Sequence, residues 1–116
     1  MDINELVQKI DDFRTARDWK QFHSPSHLAA AISIEAAELQ EEFLWKSPEE
    51  VQSKISDRTQ KVAVEEELAD VLILALLLAK EIGSDPSHII LKKLEKNAAK
   101  YPVDKARGSS KKYTNL

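Results

Sequence analysis

Two pairs of acidic residues have a spacing that places each pair on one face of a helix. Glu35 and Glu38 are three residues apart in a stretch rich in Ala, Ile and Leu, and Glu67 and Asp70 repeat that spacing. Residues three positions apart are neighbours on a helical surface. If the two helices pack antiparallel, the two pairs can face each other and form one group of four carboxylates.

Neither pair has a Lys or Arg within one helical turn to balance its charge. Asp70 lies inside the otherwise apolar run 68–79, where an unpaired carboxylate is costly or loses its charge. Oxygen ligands without cysteine or paired histidines favour Mg²⁺ or Mn²⁺ over zinc. Because Mg²⁺ completes its shell with water and phosphate oxygens, this pattern predicts a metal-bound phosphate ester or polyphosphate as substrate. The alternative is a solvated acidic face without a ligand.

The composition excludes several other chemistries. The 116 residues include 2 Gly, 4 Pro and no Cys, which rules out disulfides, cysteine nucleophiles and cysteine-based zinc sites. So few glycines also exclude a Walker loop and a Rossmann phosphate loop. At this length one domain is expected, and the absence of strand-like alternation favours an all-α fold.

The charge is divided unevenly along the chain. The net charge is −3, and residues 100–116 carry five basic groups and one acid, so an acidic body precedes a basic tail. This balance argues against binding of polymeric nucleic acid. We therefore predict a helical domain over residues 1–101 and a basic C-terminal tail of low order over 102–116.

Prolines and capping residues mark the predicted helices. Ser24-Pro25, Ser47-Pro48 and Asp85-Pro86 each place a capping side chain before a proline at the first helical position, and Gly83 is suited to end a helix. Segment 18–25 is predicted to be a connector. The predicted helices cover residues 2–17, 26–46, 48–55, 58–82 and 86–101.

The predicted helix 58–82 is apolar on every side along residues 68–79. Twelve residues are too few to span a bilayer, so we expect no membrane partner. A helix that is apolar all round needs cover on every side, which one short chain can hardly supply. We therefore predict a homo-oligomer. The N-terminus has no signal-peptide pattern, so a cytoplasmic location is expected.

Other residues are candidates for contacting a nucleotide. Trp45 lies seven residues after Glu38, roughly 10 Å along the same face if one helix continues that far. Trp19 and Phe22 lie in the polar connector, where they either bind a ligand or close the edge of the core. Near the end of the last helix, Asn97 and Lys100 share one face, although a terminal lysine is often explained by the helix dipole.

The motifs in this order resemble those of the MazG-like all-α nucleoside triphosphate pyrophosphohydrolases, and within them the dCTP pyrophosphatase group. The resemblance extends from about residue 5 to residue 116. The matching segments are the two acidic pairs with residues 17–25 (RDWKQFHSP), 43–46 (FLWK), 66–73 (EELADVLI), 97–102 (NAAKYP) and 109–114 (SSKKYT).

The resemblance implies an all-α bundle of four to five helices, assembled as a homotetramer, a dimer of dimers, in which two chains contribute to each site. It implies Mg²⁺-dependent hydrolysis of (deoxy)nucleoside triphosphates, with dCTP-like substrates favoured, to the monophosphate and pyrophosphate for nucleotide-pool control. The implied metal ligands are Glu35, Glu38, Glu67 and Asp70. Glu38 and Glu35 are the predicted catalytic residues, and Glu38 is the favoured one for positioning or deprotonating the water.

The resemblance also implies a substrate-binding set. The base side matches Trp19, Phe22, His23 and Trp45, and the sugar and phosphate side matches Asn97, Lys100 and Tyr101. The predicted set further includes Lys20, Gln21, Leu74 and Lys112. Two positions depart from the animal members, because Leu74 replaces a tyrosine and Ile10 replaces a base-side histidine. Both changes make the base pocket more apolar and weaken the expected selection for one base.

Two alternative functions remain open at this point. The first is the related phosphoribosyl-ATP pyrophosphohydrolase, which the match at Trp19, Trp45 and the tail argues against. The second is a helical nucleotide-binding or oligomerisation module without catalysis. A scaffold gains nothing from carboxylates in an apolar setting, so the intact acidic set argues against this module.

Overall fold

The computed structural model describes residues 1–116, and all of its regular elements are helices. The all-α fold class is therefore confirmed. Short 3-10 helices lie at Lys20–Phe22 and Tyr113–Asn115. The α-helices are α1 (Ile3–Ala16), α2 (Pro25–Glu41), α3 (Pro48–Ser56), α4 (Arg58–Glu81), α5 (Pro86–Lys100) and α6 (Val103–Ala106).

The predicted helix starts are confirmed at all three Ser-Pro and Asp-Pro sequences. Ser24, Ser47 and Asp85 are N-caps whose side chains accept hydrogen bonds from backbone N–H groups three residues later. Ser47 and Glu50 form a capping box, in which each side chain accepts from the other residue's N–H. The caps satisfy donors that have no partner inside the helix, so these sequences determine where the helices begin.

Gly83 ends α4, as its sequence position predicts. Its φ of +73° lies in the left-handed region, which glycine adopts without a steric penalty. The N–H of Ser84 donates to the carbonyl of Ala79 at 2.9 Å, and the N–H of Gly83 donates to the carbonyl of Lys80 at 3.0 Å. This pair of bonds is a Schellman motif, which turns the chain from α4 into the cap of α5.

Three expectations about the elements were wrong in detail. The chain has six α-helices rather than four to five, because the tail includes the single-turn α6. The tail also has a 3-10 turn at Tyr113–Asn115 and is not uniformly of low order. The helix predicted over 26–46 ends at Glu41, because the chain must turn before Ser47 can cap α3.

The central packing is between α2 and α4, which meet more extensively than any other pair of helices, while α1, α3 and α5 also pack against α4. Only 6 of 116 residues are buried, and the radius of gyration is 17.6 Å, well above the roughly 13 Å of a compact domain of this length. On α4, Leu68 and Leu72 are 44% and 53% exposed. A single chain therefore leaves much of its apolar surface uncovered. No helix has the length and apolar character needed to cross a membrane.

Candidate active site

The four acidic residues lie where α2 packs against α4. Glu35 and Glu38 are on α2, and Glu67 and Asp70 are on α4. One carboxylate oxygen from each of Glu35, Glu38 and Glu67 lies within 4.8 Å of the other two. Glu38 and Asp70 are exposed, whereas Glu35 and Glu67 are partly buried. We call these four residues the acidic cluster.

The carboxylates of the acidic cluster are unpaired within the chain. None of its members forms an ion pair with a Lys, Arg or His side chain. Glu35 Oε2 and Glu67 Oε2 are buried atoms without a hydrogen-bond partner. Buried carboxylate oxygens without partners are expensive, so the site fits a cation with several oxygen ligands. The donor set is that of a hard divalent cation such as Mg²⁺ or Mn²⁺.

The surroundings of Glu35 and Glu67 raise the pKa of both carboxyls. A hydrogen bond with the Glu38 carboxyl, burial, and the charges of Glu38, Asp70 and Glu67 raise the pKa of Glu35. Burial raises the pKa of Glu67, and the charge of Glu38 raises it further. With their pKa values raised, these two carboxyls hold protons more tightly than ordinary glutamates, and a bound cation would displace those protons.

An apolar cavity of about 490 Å³ opens beside the acidic cluster, and we call it the first cavity. Glu35 and Asp70 form one part of its wall, so Asp70 faces the same space as Glu35. The aromatic part is Trp19 packed edge-to-face on Phe13, with ring centres 5.7 Å apart. The lining residues are Lys9, Ile10, Phe13, Trp19, Glu35, Asp70, Ile73 and Leu74.

Sequence reasoning did not single out Lys9, Phe13 or Ile73 as site residues. Phe13 lies three residues after Ile10, so the two side chains share a face of α1, and this spacing was the available signal. Ile73 was hidden because it lies in the apolar run 68–79 of α4, where the sequence alone does not show which face lines a cavity.

A second cavity of about 460 Å³ adjoins the first, and Leu74 lines both. Three predicted substrate-binding residues of the connector, Gln21, Phe22 and His23, lie in its wall. The remaining lining residues are Ser24, His27, Leu28, Ala31 and Leu74. The structure thus groups these three connector residues with Leu74 around the second cavity, and Leu74 is the residue that this cavity shares with the first.

Trp45 is not where the sequence placed it. Because α2 ends at Glu41, Trp45 does not share a helical face with Glu38. It adopts a left-handed backbone with φ of +63°, in a turn closed by the N–H of Lys46 donating to the carbonyl of Phe43. Its side chain is 92% exposed and lines neither cavity of its own chain.

The other predicted substrate-binding residues also lie outside both cavities of the same chain. They are Lys20, Asn97, Lys100, Tyr101 and Lys112. The tail folds back on the end of α5, where the Tyr113 ring contacts Tyr101 edge-to-face at 6.0 Å. Lys100 Nζ lies 4.8 Å from the centre of the same Tyr113 ring. The tail therefore has a docking point beside two residues of the predicted phosphate side.

Comparisons with known proteins agree with this architecture. The model of the MazG-like family matches residues 30–116. The dCTP pyrophosphatase 1 proteins of Rattus norvegicus and Homo sapiens are each 40% identical over 114 residues, which cover 98% of this chain and 67% of the relative. A crystal structure of a pyrophosphatase from Archaeoglobus fulgidus superimposes with a TM-score of 0.79 at 42% identity, covering 86% of this chain and 92% of that one.

These matches extend over nearly the whole chain and include both halves of the acidic cluster. The chain belongs to the MazG-like family. Within it, the similar proteins place this enzyme among the nucleoside triphosphate pyrophosphohydrolases.

Proposed function

We propose that this enzyme hydrolyses deoxynucleoside triphosphates to the monophosphate and pyrophosphate, with Mg²⁺ held by Glu35, Glu38, Glu67 and Asp70. The observation that carries the proposal is the meeting of three carboxylates within 4.8 Å, two of them with buried oxygens that lack a partner. Mn²⁺ has similar ligand preferences and is expected to substitute. A role in nucleotide-pool control and a cytoplasmic location stay predictions.

The acidic cluster suggests how the reaction is divided among its residues. Bound Mg²⁺ would supply charge neutralisation of the polyphosphate and a lower pKa for the attacking water. Glu38 is the exposed member of the close carboxylate triad, so it is the best placed to orient that water and accept its proton. Glu35 lies within 4.8 Å of the Glu38 carboxylate, so its charge can tune the basicity of Glu38.

The first cavity is suited to a nucleobase. Of its three polar members, Glu35 and Asp70 belong to the acidic cluster and Lys9 lies on α1, while Trp19 offers an aromatic face for stacking. Ile10 and Leu74 contribute no hydrogen-bonding group, so at these two positions a base is selected by shape and stacking. A dCTP-like substrate is the favoured one, as in the similar proteins named dCTP pyrophosphatase 1. We expect discrimination among bases to be modest.

The active unit is proposed to be a homotetramer in which two chains contribute to each site. The exposed apolar residues of α4 and α5 support this assembly, because Leu72, Leu91 and Leu94 are each more than half exposed in the single chain. Trp45 and Lys100 line neither cavity of their own chain, so their predicted contact with substrate requires a neighbouring subunit. Light scattering is expected to give four times the chain mass, and a monomer would contradict the assembly.

Mixed assemblies test whether sites are shared. Glu38→Gln and Trp45→Ala chains are each expected to be poorly active alone. If each site takes Trp45 from a neighbour, co-refolded mixtures recover activity in sites that combine an intact Glu38 with an intact Trp45. No recovery beyond the sum of the two separate activities would show that one chain supplies both residues.

Product analysis tests the reaction itself. The protein is incubated with a panel of dNTPs, 5-substituted dNTPs and NTPs with Mg²⁺, and the products are separated. Monophosphate plus pyrophosphate is the expected result. Diphosphate plus orthophosphate would show cleavage at a different bond. Nucleotide binding without turnover would favour the non-catalytic module.

A further inference from the structure

One arginine is almost completely buried where α1, α4 and the connector meet. Arg14 is 1% exposed, and it is the charged side chain of the buried core. Its Nε donates to Asp11 Oδ1 at 2.8 Å, and its Nη2 forms an ion pair with Glu81 Oε2 at 2.9 Å. A buried cation with two carboxylate neighbours is held in a defined position, because any displacement leaves a charge unpaired.

The third neighbour of the guanidinium is a histidine. Arg14 Nη1 lies 3.4 Å from His23 Nδ1, across nine residues of sequence. A guanidinium has donors and no acceptor, so Nδ1 must accept this bond and carry no proton. The single proton of the neutral ring then resides on Nε2. We call Asp11, Arg14, His23 and Glu81 the Arg14 cluster.

The Arg14 cluster is joined to the substrate side of the molecule. His23 lines the second cavity, and its Nε2 has no polar partner within the chain. The other imidazole of that cavity, His27, contacts Ser24 Oγ through its own Nδ1 at 2.8 Å. The backbone is also tied to Arg14, because the Trp19 N–H donates to the Arg14 carbonyl at 2.9 Å.

The surrounding charges favour an uncharged ring. Burial lowers the pKa of His23, the Arg14 guanidinium lowers it further, and the Glu81 carboxylate partly opposes this by raising it. Lys80 of α4 adds a second cation to the cluster, with its Nζ 3.9 Å from Asp11 Oδ2. His23 is therefore neutral at neutral pH and presents an N–H donor.

We propose that Arg14 is a positioning residue for nucleotide binding, which holds His23 as the Nε2–H tautomer so that the ring donates a hydrogen bond to an acceptor atom of the nucleotide. The contact between His23 and the nucleotide rests on the proposed function, with the substrate reaching from the first cavity past Leu74 to the second. The tautomer itself does not depend on any substrate.

Nitrogen-15 NMR of the histidine rings tests the tautomer in the unaltered protein. His23 is expected to show a protonated Nε2 and an unprotonated Nδ1, assigned by comparison with His23→Gln. The α,β-imido analogue of dCTP resists cleavage between its α and β phosphates. Adding this analogue with Mg²⁺ is expected to shift the His23 Nε2–H signal. A Nδ1–H tautomer, an even mixture, or no shift on binding would overturn the proposal.

Two substitutions separate positioning from simple support of the fold. In Arg14→Met the His23 imidazole is expected to lose its tautomer preference and to titrate at higher pH. The KM for dCTP is expected to rise about tenfold, equivalent to one lost hydrogen bond, with kcat nearly unchanged. Arg14→Lys keeps the positive charge but lacks the planar guanidinium, so its KM and its His23 tautomer preference should lie between those of the wild type and Arg14→Met.

Asp57→Ala is the control for lost stability, because it removes the N-cap that accepts from the Gln60 N–H at the start of α4 and lines neither cavity. It should lower stability without changing the His23 signals or KM. If Arg14→Met loses stability but keeps the wild-type tautomer and KM, Arg14 only supports the fold. If Arg14→Met does not fold, the wild-type spectrum and Arg14→Lys decide. If the wild type hydrolyses no nucleotide, the proposed function fails while the tautomer is still measured.

Discussion

The acidic cluster and the Arg14 cluster both include residues of α4, and they differ in how their charges are balanced. The acidic cluster, in the middle of α4, brings three carboxylates of α2 and α4 within 4.8 Å, with Asp70 in the same cavity wall as Glu35, and none of the four forms an ion pair with a basic side chain. The Arg14 cluster, at the last turn of α4, surrounds one guanidinium with Asp11 and Glu81. The first is unbalanced until something positive binds, and the second is balanced by the chain itself.

This difference is the one expected between a ligand-binding site, the acidic cluster, and a structural ion-pair network, the Arg14 cluster. Charges that are paired within the chain stabilise one geometry and leave little for a ligand to gain. Charges that are left unpaired cost stability in the free protein, and a ligand that relieves the repulsion recovers this cost as binding energy. Each region contributes to one cavity wall, because Glu35 and Asp70 line the first cavity and His23 lines the second.

The largest expected effect comes from the unbalanced cluster. Glu38→Gln keeps the size of the side chain but removes a metal ligand and the proposed base. We expect kcat to fall by at least about 100-fold, which is the usual contribution of a general base. Steady-state release of pyrophosphate from dCTP measures this effect.

Glu65→Gln is the control for that change, because Glu65 is an exposed glutamate on α4 outside the acidic cluster. It should leave kcat within about twofold of the wild type. Equal losses in the two variants would indicate a general effect of charge, and the acidic cluster would then not be the catalytic centre.

The balanced cluster should show its effect in stability. Arg14→Met leaves Asp11 and Glu81 without their cation, and we expect it to lower the free energy of unfolding by about 3 kcal/mol. Glu67→Gln, measured in EDTA, should instead raise the melting temperature, because it removes a repelled carboxylate. Thermal and urea unfolding measure the stability of both variants. If Arg14→Met and Glu67→Gln change stability in the same direction, the contrast between the two clusters is wrong.

Trp19, which is proposed to stack on the base in the first cavity, should have an intermediate effect on binding. Trp19→Ala is expected to raise the KM for dCTP about tenfold, since stacking of a base on an aromatic ring contributes about 1–3 kcal/mol. Trp19→Phe keeps an aromatic face and should recover most of the affinity. If both variants bind as the wild type does, the first cavity does not hold the base.

The smallest expected effect is a dependence of stability on pH and metal. The pKa values of Glu35 and Glu67 are raised above the ordinary 4.5, so the folded state binds more protons than the unfolded state. In EDTA their contribution is fully present below pH 4.5 and is lost as the pH rises through the raised values. Mg²⁺ should reverse this loss. Melting temperatures measured from acid to neutral pH, with and without Mg²⁺, test it, and curves that coincide would contradict metal binding at the cluster.

Local signals in the sequence were sufficient to predict where most of the helices begin and end. Caps at Ser24, Ser47 and Asp85 and the glycine at 83 predicted helix ends correctly, because each acts through hydrogen bonds or backbone angles within a few residues. The same local logic failed at Trp45. Nothing in residues 42–46 forbids a helix, and the turn there follows from the direction in which α3 must leave.

The sequence by itself determined the helical class, the two acidic pairs and the lack of a nearby counter-charge. Only the tertiary structure decided that Glu67 meets Glu35 and Glu38, since these residues are about 30 positions apart and join through the packing of α2 on α4. It also decided that Arg14 pairs with Glu81 and contacts His23. Spacing predicts which side chains share a helical face, whereas contacts between helices depend on how the apolar faces pack, and many residues of similar type satisfy that requirement.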